Sequence, residues 1–412
     1  MKNISTSFQV AFAYMREKKL STALNVLLLA LGVGTIIALL LILSQAEERM
    51  ERDAAGIDLV IGAKGSPMQL ILSSIFHVDI PTGNVSMSEA SLIIAEPQVK
   101  RAIPLALGDS YKSFRIVGTN PDYIDLYNGK FVAGRLWDKP LEAVIGHDVA
   151  RATGLALNAK FVGAHGLNDS SGHVHDQHPY TVVGVLAPTG SVLDRLVLTS
   201  VASVWEVHEH ADEDGHDVND GEDHSGHNHS DDKEITAYLI QYATPLAAAS
   251  FPRLVNASSS MQAASPAMES ARLFQLIGIG VTALKGFAVI MMLCAALGIF
   301  IGLMNALDER RADLALLRVL GANRSTVVLV TLAQGLALGL MGVILGVLLG
   351  HLGAEWIGVT YAESQRVAIG GRVWISQEWW VIASALGLAV IASLIPAYRA
   401  YREATVELLA SR

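Results

Sequence analysis

The sequence has few of the residues that staple or charge an ordinary soluble core. It holds one cysteine in 412 residues, which excludes an internal disulfide and a thiolate metal site. That cysteine, Cys294, falls in a hydrophobic run and reads as a small apolar packing residue. Aromatic residues make up 6% and charged residues 17%, while 51% are hydrophobic. The mean hydropathy of +0.40 exceeds that of a typical soluble chain. No G-x-x-x-x-G-K-[ST] phosphate loop is present, and GAKGS at 62–66 is only a superficial echo of one. No spacing of serine, histidine and acid reads as a nucleophile with its base, so no catalytic residue is expected.

Charge is absent altogether from four long runs: Leu20 to Ala46, Gly286 to Leu307, Ser325 to Gly350 and Trp379 to Tyr398. As a helix the first would measure about 40 Å against a hydrocarbon core of about 30 Å, so it projects beyond a bilayer. The other three are long enough to span. The first run also exceeds the roughly 7 to 15 residues of a signal-peptide core, which predicts an uncleaved helix. None of the runs contains Asp, Glu or His in its interior, which argues against direct ion conduction. Lys285 stands just before the second run, where a lysine can snorkel to the interface.

Basic residues set the expected orientation. Arg16, Lys18 and Lys19 precede the first run, Arg310, Arg311, Arg318 and Arg324 lie between the second and third, and Arg399, Arg402 and Arg412 follow the fourth. The positive-inside rule predicts both termini in the cytoplasm and a large external segment between the first two helices.

Within that segment the period changes. Asp58 to Gly62, Phe114 to Gly118, Ala143 to Gly146, Tyr180 to Leu186, Leu196 to Thr199 and Ile235 to Tyr242 are short β-rich runs bounded by turn residues. Ser66 with Pro67 is an N-cap and N1 pair for a helix through Phe76, and Ala243 to Val255 supports another. EERMERDAAG after the first run and Leu273 to Leu284 before the second read as paired stalk helices. The expected fold class is an α-helical membrane protein with four transmembrane helices, carrying a large extracytoplasmic α+β domain between helices 1 and 2 on a helical stalk.

The net charge of −9 is concentrated. Glu206 to Glu234 holds twelve acidic residues, six histidines and one lysine. Nine histidines fall in two clusters, His173, His175 and His178, then His208, His210, His216, His224, His227 and His229. Imidazoles among carboxylates suit zinc, copper or nickel, with zinc first because it needs no redox chemistry. Gly, Asp, Asn and Ser with almost no apolar residue predict a disordered loop that binds metal weakly rather than a tetrahedral site. A merely solvated acidic loop is the other reading.

Between the second and third runs, DERRADLALLRVLGANRSTV places Leu314, Leu317 and Leu320 on one helical face, and Gly321 ends the helix. Docking in a partner's groove and lying on the membrane surface both fit that pattern. Glu309, Arg310, Arg311, Asp313, Leu317, Arg318, Leu320, Gly321 and Ala322 resemble the ER-x-x-E-I-x-x-L-R-A-L-G-A run of FtsX-like and MacB-like ABC transporter permeases, with Asp313 where glutamate is usual. VIGHDVARATGL, YTVVGVLAPTGSVLDRLVL and the ending IPAYRAYREATVELL extend the resemblance, as does an N-terminal amphipathic helix with Phe8, Phe12 and Met15. Ala404 stands where that ending usually has proline, and the external match lacks the family's Gly-Asp after its helix.

The resemblance implies a type VII architecture, with a stalk and an external porter-like domain, working as a dimer, in which the helix at Glu309 to Gly321 couples to a separate cytoplasmic ATPase. It further implies that ATP binds only to that partner, that no prosthetic group is held, and that the site is a bacterial inner membrane with the large domain periplasmic. A periplasmic protein partner and the bilayer are expected, and nucleic acid is not. The work is then mechanotransmission, such as export or lipoprotein or peptide handling, and the histidine segments add a link to zinc. Two alternatives stand: a non-transporting scaffold that activates a periplasmic cell-wall hydrolase, and a metal-binding receptor without an ATPase.

Gly335, Gly339, Gly342 and Gly346 run down the third helix at spacings of three and four, which allows close helix approach within one subunit or across a dimer. The expected boundaries are 1–19 (cytoplasmic helix), 20–56 (first membrane helix and stalk), 57–265 (external domain, with the His-rich insertion 205–234), 266–307 (stalk and second helix), 308–324 (coupling helix), 325–350 (third helix), 351–378 (external loop), 379–398 (fourth helix) and 399–412 (tail).

Overall fold

The structure is a computed structural model, and it describes residues 16, 18–165, 178–213, 233–309, 324–364 and 369–402. They fall into two compact units, Met1–Glu47 with Leu276–Arg412, and Glu48–Gln275.

Four helices are long and apolar enough to cross a membrane. They are α1 (Lys19–Asp53), which opens the described chain, and three that follow the second unit and are numbered below. Leu29, Val33, Ile37 and Leu41 recur every four residues on α1 and are almost fully buried within the first unit. Such a stripe is the face a helix turns to its neighbours.

The second unit is a mixed α/β domain. In chain order it contains β1 (Leu59–Ala63), α2 (Pro67–Ser74), β2 (Val85–Ser86), α3 (Met87–Ile94), β3 (Val99–Tyr111), β4 (Phe114–Thr119), α4 (Asp122–Leu126), β5 (Phe131–Gly134), β6 (Glu142–Ile145) and α5 (His147–Thr153). After these come β7 (Lys160–Phe161), β8 (Ala164–His165), β9 (Tyr180–Leu186), a 3-10 turn (Val192–Arg195), β10 (Val197–Ser200), α6 (Val201–Glu213), β11 (Glu234–Ile235), β12 (Ala237–Tyr242), α7 (Ala247–Ser258) and β13 (Met261–Ala264). The remaining membrane helices are α8 (Pro266–Glu309), α9 (Arg324–Ser364) and α10 (Gln377–Arg402).

The main sheet runs β13-β1-β12-β3-β4-β10-β6-β9-β5. Its spine is β3, which pairs antiparallel with β12 over Val99 to Leu105 and with β4 from Ala106 to Tyr111. The sequence conceals this strand because Pro104 and Gly108 read as breakers. Pro104 has no N–H to give a ladder, and it falls just where β3 exchanges one neighbour for the other. Both faces of β1 are covered, Val60 joining one buried cluster and Leu59 and Ile61 another. A strand of this kind shows a continuous apolar run, LVIGA, rather than alternation.

Ser66 caps α2, its Oγ accepting from Gln69 N at 3.4 Å, and Pro67 takes the first helical position. The third membrane helix differs from its expected end. It does not stop at Gly350 but continues through the stretch expected as loop to Ser364. A helix satisfies its own backbone in water as in lipid, so the first charge beyond the apolar run marks the edge of the bilayer and not the end of the helix.

Candidate functional site

The two chain crossings between the units have a common root in the sheet. The outer end of α1 leads through Gly56, at φ 78, into β1, and β13 leads through Ser265 into α8. β1 and β13 are adjacent and antiparallel, with Val60 opposite Ala264 and Ala63 opposite Met261. Both helices therefore join the sheet at neighbouring strands, β13 at its edge and β1 beside it.

A buried polar joint fixes the α1 end of that root. Asp53, on the last turn of α1, is 1% exposed and receives Arg195 Nη2 at 3.0 Å. The Tyr127 hydroxyl donates to the Asp53 carbonyl, and Tyr127 meets Tyr123 edge-on with ring centroids 5.6 Å apart. Tyr123, fully buried, shares a hydrogen bond of 3.1 Å with His77 Nε2. Met50, Ala54 and Ile57 pack into the same core. Burial, assisted by the neighbouring guanidiniums of Arg115 and Arg195, holds His77 well below the usual imidazole pKa. Burial also raises Tyr123 and Tyr127 above the usual phenol value and lowers Arg115. Burial thus keeps His77 neutral.

Within the first unit, a second polar cluster ties three helices at the end remote from Lys18. Gln45 on α1 exchanges two hydrogen bonds of 2.9 Å with the backbone of Gly370. Next to it, Gly371 N donates to Glu355 Oε2 of α9 at 2.6 Å. His351 of α9 lies between the Gly371 carbonyl, 2.6 Å from Nδ1, and Glu378 Oε2 of α10, 2.9 Å from Nε2. A carbonyl only accepts, so Nδ1 is the donor toward Gly371. The Glu378 side chain is fully buried, Ile375 N donates to its other oxygen, and Trp374 stacks on the His351 ring. Reading the sequence missed this cluster because His351 and Glu378 lie just beyond the apolar runs and 27 positions apart.

At the opposite end of the same unit, Lys18 Nζ meets Glu309 Oε1 at 2.5 Å and Arg399 pairs with Asp308 at 3.7 Å. Glu309 is the one residue of the proposed coupling run that is described. Arg310, Arg311, Asp313, Leu317, Arg318, Leu320 and Gly321 lie outside the described residues, as do the stretches with Phe8, Phe12 and Met15 and with Ala404.

The glycine stripe of α9 faces two helices of its own chain. A Cβ on Gly335 or Gly339 would lie 2.6 Å from Ser393 Cβ or Ala389 Cβ of α10. On Gly342 and Gly346 it would lie 2.7 Å from Leu29 Cδ2 and Val33 Cβ of α1. Only glycine permits these approaches.

Of the histidines singled out for metal, His178 lies in the bend before β9, and His208 and His210 belong to α6, with their side chains outside the described residues. His173, His175, His216, His224, His227 and His229 lie outside them entirely. Among the described residues, no three His, Cys, Asp or Glu side chains gather as a metal site.

Two family models match successive parts of the chain. Residues 22–250 match the MacB-like periplasmic core domain and residues 285–405 the FtsX-like permease C-terminal region. Among solved structures, the periplasmic region of MacB from Actinobacillus actinomycetemcomitans is 12% identical, with 54% of this chain and 95% of that one covered at a TM-score of 0.34. The extracellular domain of the noncanonic ABC-type transporter YknZ from Gram-positive bacteria is 14% identical, with 50% and 98% covered at a TM-score of 0.29. No curated protein matches. Four apolar helices and a MacB-like periplasmic domain fit an inner-membrane protein. With one family model covering more than half its length and a second covering its last three helices, the chain belongs to the FtsX-like and MacB-like family of ABC transporter permeases.

Proposed function

We infer that this permease couples ATP hydrolysis on a separate cytoplasmic subunit to rearrangement of its periplasmic domain, working as a dimer with both termini in the cytoplasm. Closure of the ATPase pair pushes the segment from Glu309 to Gly321, and α1 and α8 carry the displacement outward. The single observation behind this reading is the shared root of those helices in β1 and β13, with Asp53 and Arg195 buried at the α1 end. A hinge that is to transmit force needs a packed and paired connection, and this one has both. Substrate need not cross the bilayer core, in accord with four membrane runs free of internal carboxylates.

The work outside is export or the handling of a lipoprotein or peptide, together with a periplasmic protein partner. The histidine-rich segments add a response to zinc, supported by nine imidazoles among carboxylates. The test is co-purification of the chain with its ATPase and assay of hydrolysis in nanodiscs, with and without micromolar zinc. Stable co-purification and turnover are expected, with zinc dependence lost on deletion of 208–229. Failure to bind any ATPase removes the whole reading, whereas turnover indifferent to zinc removes only the metal response.

A further inference from the structure

One face of α8 packs inside the first unit. Ala288, Met292, Ala295 and Ile299 are buried there, Met292 and Ala295 in one cluster with Leu29 and Val33 of α1, and Ile299 in another with Val26. Among the described residues the opposite face is bare. Leu276, Gly280, Ala283, Phe287, Ile290 and Cys294 are all exposed, and the series continues to Ile301. Its spacings alternate between four and three, an average of about 3.5 residues, which is the repeat of a seam between two supercoiled helices. Lys285 shares the face of Met292, seven residues on, so the series carries no charge.

Lipid tails cover such a face inside a bilayer, but this one continues beyond it. The outer edge of the hydrocarbon falls where the uncharged runs of three helices stop, at Gly350 of α9, Trp379 of α10 and Gly286 of α8. A Cβ on Gly350 would stand 2.9 Å from Ile37 Cβ of α1, and Glu378 meets His351 beside it. Trp374, Trp379 and Trp380 are exposed around that level, as interfacial tryptophans are. On α1, Ile37 lies five residues outward of Gly32, whose Cβ would meet Met292 and the Ala288 carbonyl. The same rise on antiparallel α8 arrives at about Lys285. Leu276 is nine residues further out, about 13 Å past that edge and clear of the head groups. It is 60% exposed, and Ile279 beside it is 71% exposed. Apolar surface that runs on uncovered into water marks a protein contact.

We propose that α8 pairs along this stripe with α8 of a second copy of the chain, from the stalk through the membrane. Two copies inserted the same way are related by a two-fold axis along the membrane normal, so their α8 helices run parallel and each position near the axis meets itself. An uncharged stripe that repeats at the seam period is self-complementary in that arrangement along its whole length. Gly280, Ala283 and Cys294 keep the backbones close, and a Cβ on Gly280 meets nothing within 4 Å in the single chain. The pairing rests on the dimer of the preceding reading and assigns its seam. It brings the two Cys294 thiols face to face, in the range of about 4.4–6.8 Å between Cα atoms that a disulfide spans.

Cys294 is the chain's one cysteine, so oxidation of the full-length protein with copper–phenanthroline, in nanodiscs and in complex with its ATPase, tests the seam directly. The expected product is a disulfide-linked pair of permease chains. It should be lost in Cys294→Ala and return when Leu276→Cys is added to that variant, at a level where lipid tails are absent. It should stay absent when Leu293→Cys is added instead, because Leu293 is exposed too but stands one position off the stripe. Equal cross-linking through positions 293 and 294 would show random collision and overturn the proposal. Absence of the cross-link from a complex that native mass spectrometry shows to hold two permease chains would overturn the seam and leave the dimer standing. A complex with a single permease chain would remove the dimer itself, and the seam with it.

Discussion

Asp53 and Arg195, 142 positions apart, form a buried ion pair at 3.0 Å where the first membrane helix ends inside the periplasmic domain. The pair lies at the root that α1 and α8 share, so its loss should affect transmission before it affects membrane assembly.

Removing Arg195 leaves the buried Asp53 carboxylate with only the Arg49 and Arg52 guanidiniums near it, and breaking a buried pair costs about 3–5 kcal/mol. Arg195→Ala should therefore destabilise the periplasmic domain by that order, and Asp53→Asn combined with Arg195→Met should recover most of the loss. Urea unfolding of the full-length protein, followed by labelling of a cysteine introduced at the fully buried Val60, reads both. Equal destabilisation in the single and double variants would show that the pair is not coupled.

The same assay carries a pH prediction. Burial lowers the His77 pKa well below its ordinary value of 6.5, so as pH falls through about 6.5 the unfolded chain takes up a proton that the folded domain refuses. The stability contributed by neutral His77 is present above that pH and is lost below it. Between pH 7 and 5 the urea midpoint should fall in wild type, and it should fall less in His77→Gln.

In the membrane unit, His351→Ala strands the buried carboxylate of Glu378 and should cost about 3–5 kcal/mol. Glu378→Gln keeps the shape and an acceptor for Ile375 N, and should cost less than half as much. Thermal unfolding in nanodiscs of the two single variants and their double gives the coupling energy.

Gly346→Val drives side-chain atoms into Val33 and the Ala30 carbonyl, and should cost at least the roughly 1–3 kcal/mol typical of overpacking. Gly353→Ala, on the same helix where a Cβ meets nothing within 4 Å, should be neutral or better. A lower unfolding temperature for the first alone would confirm that α9 packs on α1 through its glycines.

Those features of the fold that depend on local composition were legible in the sequence. Uncharged runs identified four membrane helices, Ser66 with Pro67 began α2, and Tyr180 to Leu186 read directly as β9. Features that depend on distant partners were not. β3 hid behind Pro104 and Gly108, and β5 and β13 are four-residue edge strands too short to show a period. Neither Asp53 with Arg195 nor His351 with Glu378 has a local signature, because each residue alone reads as an ordinary charge near a helix end. The glycine spacing on α9 suggested close packing, but α1 and α10 as the packed partners emerge only from three-dimensional contact.

The central claim is that ATP-driven motion reaches the periplasmic domain through α1 and α8. Its most direct test is pulsed electron resonance between spin labels on the two periplasmic domains of the assembled dimer, with the ATPase present, before and after ATP with vanadate. The account predicts that the distance distribution shifts on nucleotide trapping in wild type and stays fixed in Arg195→Ala although ATP is still hydrolysed. An unchanged distance in a wild-type complex that hydrolyses ATP would contradict it.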